Sequence, residues 1–187
     1  VDRTRPTAPG QPIEGTTQDA DYDSDGTYTI SWPAASDPES GILGYLIQEQ
    51  SSATGDWKTI ALRVPQTSFS VSGRLPNSTY RYRVRAQNGE GLWGPLSESS
   101  DGILIDPTPP SAVAVTDDGQ FSSSTTSLHA LWTNSSDVES GLVEYLYAIR
   151  QDSHDGSFLV DWTSVGLATE VTRTDLTLEH GRAYYVG

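Results

Sequence analysis

The sequence contains neither cysteine nor methionine among its 187 residues. Without thiols the chain can form no disulfide framework and no thiolate metal site, so each core must be held by packing alone. No stretch approaches the roughly 18 uninterrupted apolar residues of a membrane-spanning helix. These absences exclude a disulfide-stapled scaffold, a thiolate metalloprotein and a membrane span within this segment.

Positive charge is also scarce. The chain has 11 Lys and Arg against 25 Asp and Glu, a net charge of −14. Residues 1–106 carry 8 basic and 14 acidic side chains, and residues 107–187 carry 3 and 11. Both halves are therefore acidic, which excludes a nucleic-acid-binding surface and favours cations over polyanions as partners.

Catalytic motifs are missing as well. The three histidines, His129, His154 and His180, are far apart in the sequence and form no metal-ligand spacing. There is no P-loop, no G-x-S-x-G and no H-E-x-x-H. Serines are plentiful, but none is marked as a nucleophile with a base. The sequence predicts a protein that is not an enzyme and needs no cofactor for catalysis.

The chain does contain a long internal repeat. SDPESGILGY at residues 36–45 returns as SDVESGLVEY at residues 136–145, and Trp32 and Trp132 precede the two copies at the same distance. A period of about 100 residues is that of a domain and exceeds the ~20–50 residues of a solenoid repeat. We therefore expect two domains, residues 1–106 and residues 107–187.

Strand patterns recur throughout the chain. Short runs rich in Thr, Val, Ile and Tyr alternate with Gly, Pro, Ser and Asp clusters about every ten residues, which is typical of a β-sandwich. In residues 80–88 (YRYRVRAQN), tyrosine, valine and alanine alternate with arginine, the pattern of a half-buried strand. The predicted strands of the first domain are 10–14, 27–33, 43–50, 56–62, 67–73, 79–88 and 96–105.

Several segments resemble the fibronectin type III family. They are PTAPG, TYTISW, GYLIQEQ, LPNSTYRYRVRAQN and GLWGPLSE in the first domain, and TPPSAVAV, TSLHALW, EYLYAIR and LTLEHGRAYYV in the second. The resemblance implies an all-β protein with two immunoglobulin-like, seven-strand sandwiches in tandem. It also implies a joint at residues 101–110 like those of long tandem arrays on large extracellular proteins.

The resemblance breaks off in the second domain. That domain reaches Gly187 in the middle of its sixth strand. We expect it to lack its last strand or strands, either because the segment is a window on a longer array or because a neighbouring molecule adds a strand in trans. The match of Val1-Asp2 to Ile105-Asp106 favours the window.

The repeated positions also predict the two cores. Buried aromatic and aliphatic side chains should come from the strands on both faces of each sandwich. The residues expected in the first core are Trp32, Tyr45, Ile47, Leu75, Tyr80, Tyr82 and Val84. Their expected counterparts in the second are Trp132, Tyr145, Leu176 and Tyr184.

An arginine row lies on the outer face of the clearest strand. Arg81, Arg83 and Arg85 alternate with its inward side chains, and Trp93 follows nearby. The row either binds an acidic partner or stacks on indole rings, and guanidinium–indole stacking is the favoured interpretation. Trp57 and Trp162 are the aromatic residues to inspect for a carbohydrate platform.

An acidic loop offers the sharpest ligand motif. Asp21, Asp23, Asp25 and Gly26 reproduce the D-x-D-x-D-G opening of a calcium loop, although Trp32 stands where the bidentate acid of an EF-hand would be. The alternative is a solvated loop.

The decapeptide has two interpretations of its own. It is either a turn that the fold uses twice or part of a cation site at the joint. In a sandwich, the loop after the first strand lies at the pole where the domain ends, and the decapeptide lies at the pole where its domain begins. Asp106, Asp137 and Glu139 are therefore expected near the 19–25 loop, where Ca²⁺ is the cation that suits carboxylate oxygens.

Two sequons complete the list of candidate sites. Asn77 and Asn134 each begin an N-x-S/T triplet and would accept N-glycans in a glycosylating secretory pathway. The favoured function is a structural or adhesive repeat at the cell surface or outside the cell, a spacer, stalk or filament component that contacts neighbouring repeats or identical chains. The alternative is a carbohydrate- or protein-binding accessory module of a secreted protein.

Overall fold

The computed structural model describes residues 2–187, and those residues form two compact units built from β-strands and loops. One unit ends at Pro107, and the other comprises Thr108–Gly187. The described residues hold no helix, so none of their elements meets the length and hydropathy of a membrane-crossing helix.

The first unit is a β-sandwich of two sheets. One sheet has the order β1-β3-β6, and the other has the order β2-β8-β7-β4-β5. All neighbouring strands are antiparallel except β2 and β8, which run parallel. Its strands are β1 (Ile13–Glu14), β2 (Tyr22–Asp23), β3 (Tyr28–Ser31), β4 (Ile42–Ser51), β5 (Trp57–Val64), β6 (Ser68–Val71), β7 (Thr79–Asn88) and β8 (Ile103–Ile105).

The core lies between these two sheets. Trp32 packs edge-on against Tyr45, with ring centroids 5.5 Å apart. Along β7 the alternate side chains from Tyr80 to Ala86 are all buried, as the sequence pattern predicts. The expected core members are confirmed with one exception: Trp32, Tyr45, Ile47, Tyr80, Tyr82 and Val84 are buried.

Leu75 is the exception, and its prediction was wrong. Its side chain is 64% exposed. The backbone N–H of Leu75 donates to the hydroxyl of Tyr80, five residues later, at 3.0 Å. In the second unit the matching bond runs from the N–H of Glu179 to the hydroxyl of Tyr184 at 2.8 Å. Leu75 thus corresponds to the exposed Glu179, one position away from the partly buried Leu178.

The predicted strand at 96–105 is regular only at β8. Upstream of it, the N–H groups of Gly94, Ser97 and Ser100 donate to carbonyls of β7 at 2.8–2.9 Å. The return bonds come from serine hydroxyls, because Val84 N–H donates to Ser97 Oγ at 3.0 Å and Tyr82 N–H to Ser100 Oγ at 2.9 Å. Side chains replace backbone carbonyls as acceptors, so the segment follows β7 without forming a regular ladder.

The second unit repeats the same plan. One sheet has the order β13-β10-β9, and the other has the order β12-β11-β14. β14 pairs with β11 as β7 pairs with β4, and no counterpart of β8 occurs among the described residues of this unit. Its strands are β9 (Val115–Asp117), β10 (Leu128–Trp132), β11 (Leu146–Gln151), β12 (Phe158–Ser164), β13 (Glu170–Arg173) and β14 (Tyr184–Val186).

The second core is centred on Trp132, which lies 5.9 Å from Tyr145 between ring centroids. Tyr147, Ile149, Val160 and Leu176 are buried with it. Tyr145 and Tyr184 pack against this cluster but are only partly buried. All four expected members of the second core therefore lie in it or against it.

One part of the first core is polar. Tyr82 donates its hydroxyl to Glu49 at 2.8 Å, Arg74 contacts the same carboxylate at 2.6 Å, and the hydroxyls of Tyr28 and Tyr82 are 2.7 Å apart. Burial and the adjoining hydroxyl raise the pKa of Tyr82 well above its usual range. We call Tyr28, Glu49, Arg74 and Tyr82 the polar network.

Candidate functional site

Both copies of the decapeptide form the same tight turn. Asp37 Oδ1 accepts from the N–H groups of Glu39 and Ser40 at 3.2 and 3.0 Å. Asp137 Oδ1 accepts from Glu139 and Ser140 at 3.2 and 2.9 Å. Local bonds of this kind are those by which aspartate stabilises turns.

The glycine of each turn has a reason to be there. Gly41 and Gly141 adopt φ values of 70° and 75°. Few other residues adopt that left-handed conformation without strain. The interpretation of the decapeptide as a turn used twice by the fold accounts for its aspartate and its glycine.

In the first unit the carboxylates of Asp2 and Glu39 lie close to that of Asp37 at this turn. Ser40 Oγ donates to Asp2 Oδ2 at 2.6 Å, and the fully buried Asn88 donates from Nδ2 to Asp2 Oδ2 and Asp37 Oδ2 at 2.9 and 3.0 Å. Asp2, Asp37 and Glu39 each present an oxygen within 4.8 Å of the other two. We call these three residues the polar-end cluster.

Hydrogen bonding and crowding set the charges in the polar-end cluster. The hydroxyl of Ser40, aided by Thr4, holds the pKa of Asp2 well below its usual range. Loss of hydration and the adjacent Asp2 raise the pKa of Glu39, whose carboxylate also accepts a bond from the Thr4 hydroxyl. The arrangement keeps Asp2 ionised and makes the charge on Glu39 harder to hold, as expected for carboxylates that share one site.

The calcium-like loop is organised around its own backbone. Asp23 Oδ2 accepts from the N–H groups of Asp25, Gly26 and Thr27 at 3.2, 2.6 and 3.2 Å. Asp25 Oδ1 accepts from Thr27 N–H at 2.7 Å. Among the described residues, Asp21, Asp23 and Asp25 belong to no group of three acidic side chains at metal-ligand distances. The three alternate carboxylates therefore do not converge within this loop.

Within the first unit, Asp106 lies beside the 19–25 loop. It follows β8 and is buried, and its N–H donates to the carbonyl of Asp23 at 2.8 Å. The short parallel pairing of β2 with β8 produces this approach. In the second unit Asp137 is partly buried and Glu139 is exposed, both on the decapeptide turn.

The arginine row stacks on tryptophan. The guanidinium of Arg83 lies 4.2 Å from the ring centroid of Trp57, and that of Arg85 lies 4.8 Å from Trp93. Arg81 donates from Nε to the carbonyl of Asp101 at 2.9 Å. The stacking interpretation is confirmed for two of the three arginines, at a stabilisation of ~0.5–1 kcal/mol each where exposed.

The two candidate platform residues differ in exposure. Trp57 is partly covered by Arg83. Trp162, its counterpart in the second unit, is 53% exposed on β12. The side chains of both sequon asparagines, Asn77 and Asn134, are also exposed. These are the residues that a ligand or a glycosylating enzyme reaches from solvent.

Sequence reasoning missed the polar network and one buried carboxyl, Glu14. Apart from Arg74, which lies between β6 and β7, these residues lie on strands whose other residues predict an ordinary apolar core. Glu49 occupies an inward position of β4. A signal for the polar network was present in the repeat, because Glu49 stands where the second unit has Ile149. Where one copy of the repeat has a polar residue at an inward position and the other copy has an apolar one, the polar side chain needs a hydrogen-bonding partner nearby.

Comparison with known proteins identifies the fold type of the first unit. Residues 14–103 match the family model of the fibronectin type III domain. Roundabout homolog 1 of Mus musculus is 33% identical over 93 residues, which are 49% of this chain and 6% of that protein. Protein sax-3 of Caenorhabditis elegans is 30% identical over 114 residues, 60% of this chain and 8% of that protein. The chain therefore spans less than a tenth of the length of these relatives.

A solved structure extends the likeness beyond the first unit. The crystal structure of chicken CNTN1 FN1–FN3 domains matches 97% of this chain and 61% of its own, with a TM-score of 0.55 and 20% sequence identity. At that identity the likeness shows the fold, and the fold alone.

Proposed function

We propose that this chain is a non-enzymatic structural and adhesive repeat of a larger extracellular or cell-surface protein. The first unit matches the fibronectin type III family model, and the second unit repeats its fold. The observation that carries the proposal is the duplication itself: one sandwich is built twice in direct succession, with corresponding cores and the same polar turn. In this role the units form a spacer, stalk or filament component, and the proposed partners are neighbouring repeats or identical chains. The exposed Asn77 and Asn134 suit N-glycosylation in a secreted protein.

We also propose that Ca²⁺ stiffens the joint between successive units. The repeat equates Asp106 with Asp2, and Asp137 and Glu139 with Asp37 and Glu39. In the first unit the equivalent three residues gather within metal-ligand distance of one another. An all-oxygen carboxylate set suits Ca²⁺ rather than zinc.

The acidic loop has a secondary part in this proposal. Asp23 already satisfies three N–H groups of its own turn, so direct coordination by its carboxylate would cost those bonds. Asp21 and Asp25 add negative charge on the loop beside Asp106 and are proposed as further ligands. The principal ligands are Asp106, Asp137 and Glu139.

Small-angle scattering with calcium and with chelator tests the joint. Chelation should change the maximum dimension while circular dichroism stays unchanged, because the ligands lie on loops and the linker. At a hundredfold excess over its dissociation constant, Ca²⁺ stabilises the bound geometry by ~2.7 kcal/mol. Asp137→Asn should abolish the difference, whereas Asp56→Asn, an exposed aspartate between β4 and β5, should keep it. Identical profiles in calcium and chelator would overturn the calcium joint and leave the decapeptide as a turn.

A carbohydrate- or protein-binding accessory role is the second candidate function. The observation that favours it is the exposed indole of Trp162, whose counterpart Trp57 is stacked under an arginine. Aromatic faces left open to solvent are the usual platforms for sugar rings. Binding to a glycan panel that disappears in Trp162→Ala and persists in Trp57→Ala would favour this role over the structural one.

A further inference from the structure

Glu14 is a buried carboxyl in the first unit whose hydrogen bonding is incomplete. It lies on β1 with only 1% of its surface exposed. Ser100 Oγ donates to Glu14 Oε1 at 2.5 Å. The other oxygen, Oε2, is buried and accepts no hydrogen bond from the described residues. A buried carboxylate oxygen without a partner carries a large desolvation cost, so this atom calls for a ligand.

Two more carboxylates stand beside Glu14. Glu14, Asp19 and Asp101 each present an oxygen, and these oxygens all lie within 4.8 Å of one another. None of the ion pairs in the described part of the chain includes any of the three. Burial, and then the charges of Asp19 and Asp101, raise the pKa of Glu14 to about 7. Three carboxylates in such a group repel one another unless a cation or a proton intervenes.

The backbone holds these carboxylates in place. The chain turns back after β1, so that Ala20 N–H donates to the Glu14 carbonyl at 2.8 Å and Glu14 N–H donates to Asp19 Oδ1 at 2.8 Å. Gly15 makes the turn with φ 146°, and a Cβ there would lie 1.9 Å from the Gln18 carbonyl oxygen. On the other side Arg81 anchors the carbonyl of Asp101 at 2.9 Å.

We propose that Glu14, Asp19 and Asp101 form a calcium-binding site within the first unit, with the hydroxyl of Ser100 beside it. Oxygens bound to one Ca²⁺ at 2.3–2.6 Å lie at most about 5 Å apart, which fits the spacing of this group. The donors are oxygens alone, a set that disfavours zinc and copper. The ion supplies the missing partner of Glu14 Oε2 and neutralises the charges that gather around it. The site is separate from the polar-end cluster and from the proposed joint, since it shares no residue with either.

A protonated Glu14 is the competing solution, and measured calcium uptake separates the two. Calcium must displace the Glu14 proton, because the ion binds the carboxylate form.

Calorimetric titration of the 187-residue chain with calcium chloride tests the site. The background carries Asp2→Asn and Asp137→Asn, which remove the polar-end cluster and the joint as competitors. In that background we expect one calcium ion per chain at pH 8. Asp101→Asn and Glu14→Gln should each weaken binding at least tenfold, and Asp56→Asn should leave it unchanged.

Two variants are used so that the test remains valid if one of them fails to fold. Glu14→Gln keeps the shape of the side chain and removes a buried charge, so it should fold even if Asp101→Asn does not. No uptake in the background chain at millimolar calcium would overturn the site. Equal binding by the background, Asp101→Asn and Glu14→Gln proteins would do so as well. None of these outcomes bears on the joint, whose ligands lie elsewhere.

Discussion

At the scale of single residues, replacing the core tryptophan and replacing the exposed leucine should affect the free energy of unfolding very differently. Trp32 is buried against Tyr45, so Trp32→Ala removes a large buried ring and should lower the free energy of unfolding of the first unit by ~3–5 kcal/mol. Leu75→Ala is the matched control: its side chain is mostly in water, and the change should be within about 0.5 kcal/mol. Denaturant unfolding monitored for the first unit would measure both. Equal losses for the two variants would contradict the burial of Trp32.

Leu75 also shows where sequence reasoning at single positions fails. The alternation along β7 correctly predicts every inward residue, because a strand has a fixed period of two. Before β7 the chain is a turn with no period, and a leucine there can be matched to its repeat only by sequence. The tyrosine hydroxyl that caps the turn sets the true alignment, and it pairs Leu75 with Glu179. A side chain-to-backbone bond of this kind leaves no periodic trace in the sequence.

At the scale of elements, the two units solve the same packing problem in different ways. Glu49 opposes Tyr82 across β4 and β7, and Ile149 opposes Val186 at the same register of β11 and β14. The other two members of the polar network change in step. The four polar residues Tyr28, Glu49, Arg74 and Tyr82 are matched in the second unit by Leu128, Ile149, Leu178 and Val186.

This concerted exchange predicts strong coupling among the four positions. Glu49→Ile alone leaves Arg74 and Tyr82 without their shared acceptor, and it should cost roughly 1.5–3 kcal/mol of unfolding free energy. Replacing all four with their second-unit counterparts should recover most of that loss or exceed it, since a well-packed apolar set often equals a buried ion pair. Thermal unfolding of the wild-type protein, the four single variants and the quadruple variant measures the coupling. Additive effects of the four single changes would show that the positions act independently.

The elements themselves differ in how far sequence could predict them. β4 and β7 are ten residues long and strongly patterned, and their predicted bounds differ from the observed ones by at most one residue. The segment 96–102 was predicted as strand, yet its serine hydroxyls take the place of ladder acceptors. The two-residue β2 exists because of its pairing with β8, and no local pattern marks it. Elements made by long-range or side-chain bonds are those the sequence does not show.

The candidate sites also divide into those formed by local residues, which the sequence shows, and those formed by long-range contacts, which it does not. The decapeptide turn could be derived from its own residues, because aspartate and glycine act locally. The gathering of Glu14, Asp19 and Asp101 needs the pairing of β1 with β3 and the return of the chain beside β7 to bring residues 14 and 101 together. The D-x-D-x-D-G motif has the spacing of a calcium loop, but the Asp23 carboxylate accepts backbone N–H bonds of its own loop. Here the sequence shows a pattern that the structure uses for a turn.

At the scale of the whole molecule, the function of a spacer depends on the segment between the units. Pro107, Pro109 and Pro110 occupy three of four successive positions there. Proline fixes φ and favours an extended, semi-rigid chain, whereas serine in the same places would behave as a flexible coil. A spacer or stalk requires the semi-rigid form, because a flexible link would let the ends of an array approach one another.

Because the chain contains no cysteine, introduced cysteines are the only labelling sites and no native thiol has to be removed. Lys58→Cys and Asp155→Cys place one label on an exposed position of each unit. Replacing the three linker prolines with serine should broaden the distribution of label-to-label distances measured by pulsed electron paramagnetic resonance, both in chelator and in calcium. Pro65→Ser, on the exposed turn between β5 and β6, is the matched control and should leave the width unchanged. Unaltered distributions in the triple-serine protein would show that the prolines do not restrain the two units, and the spacer role would then have to rest on calcium at the joint.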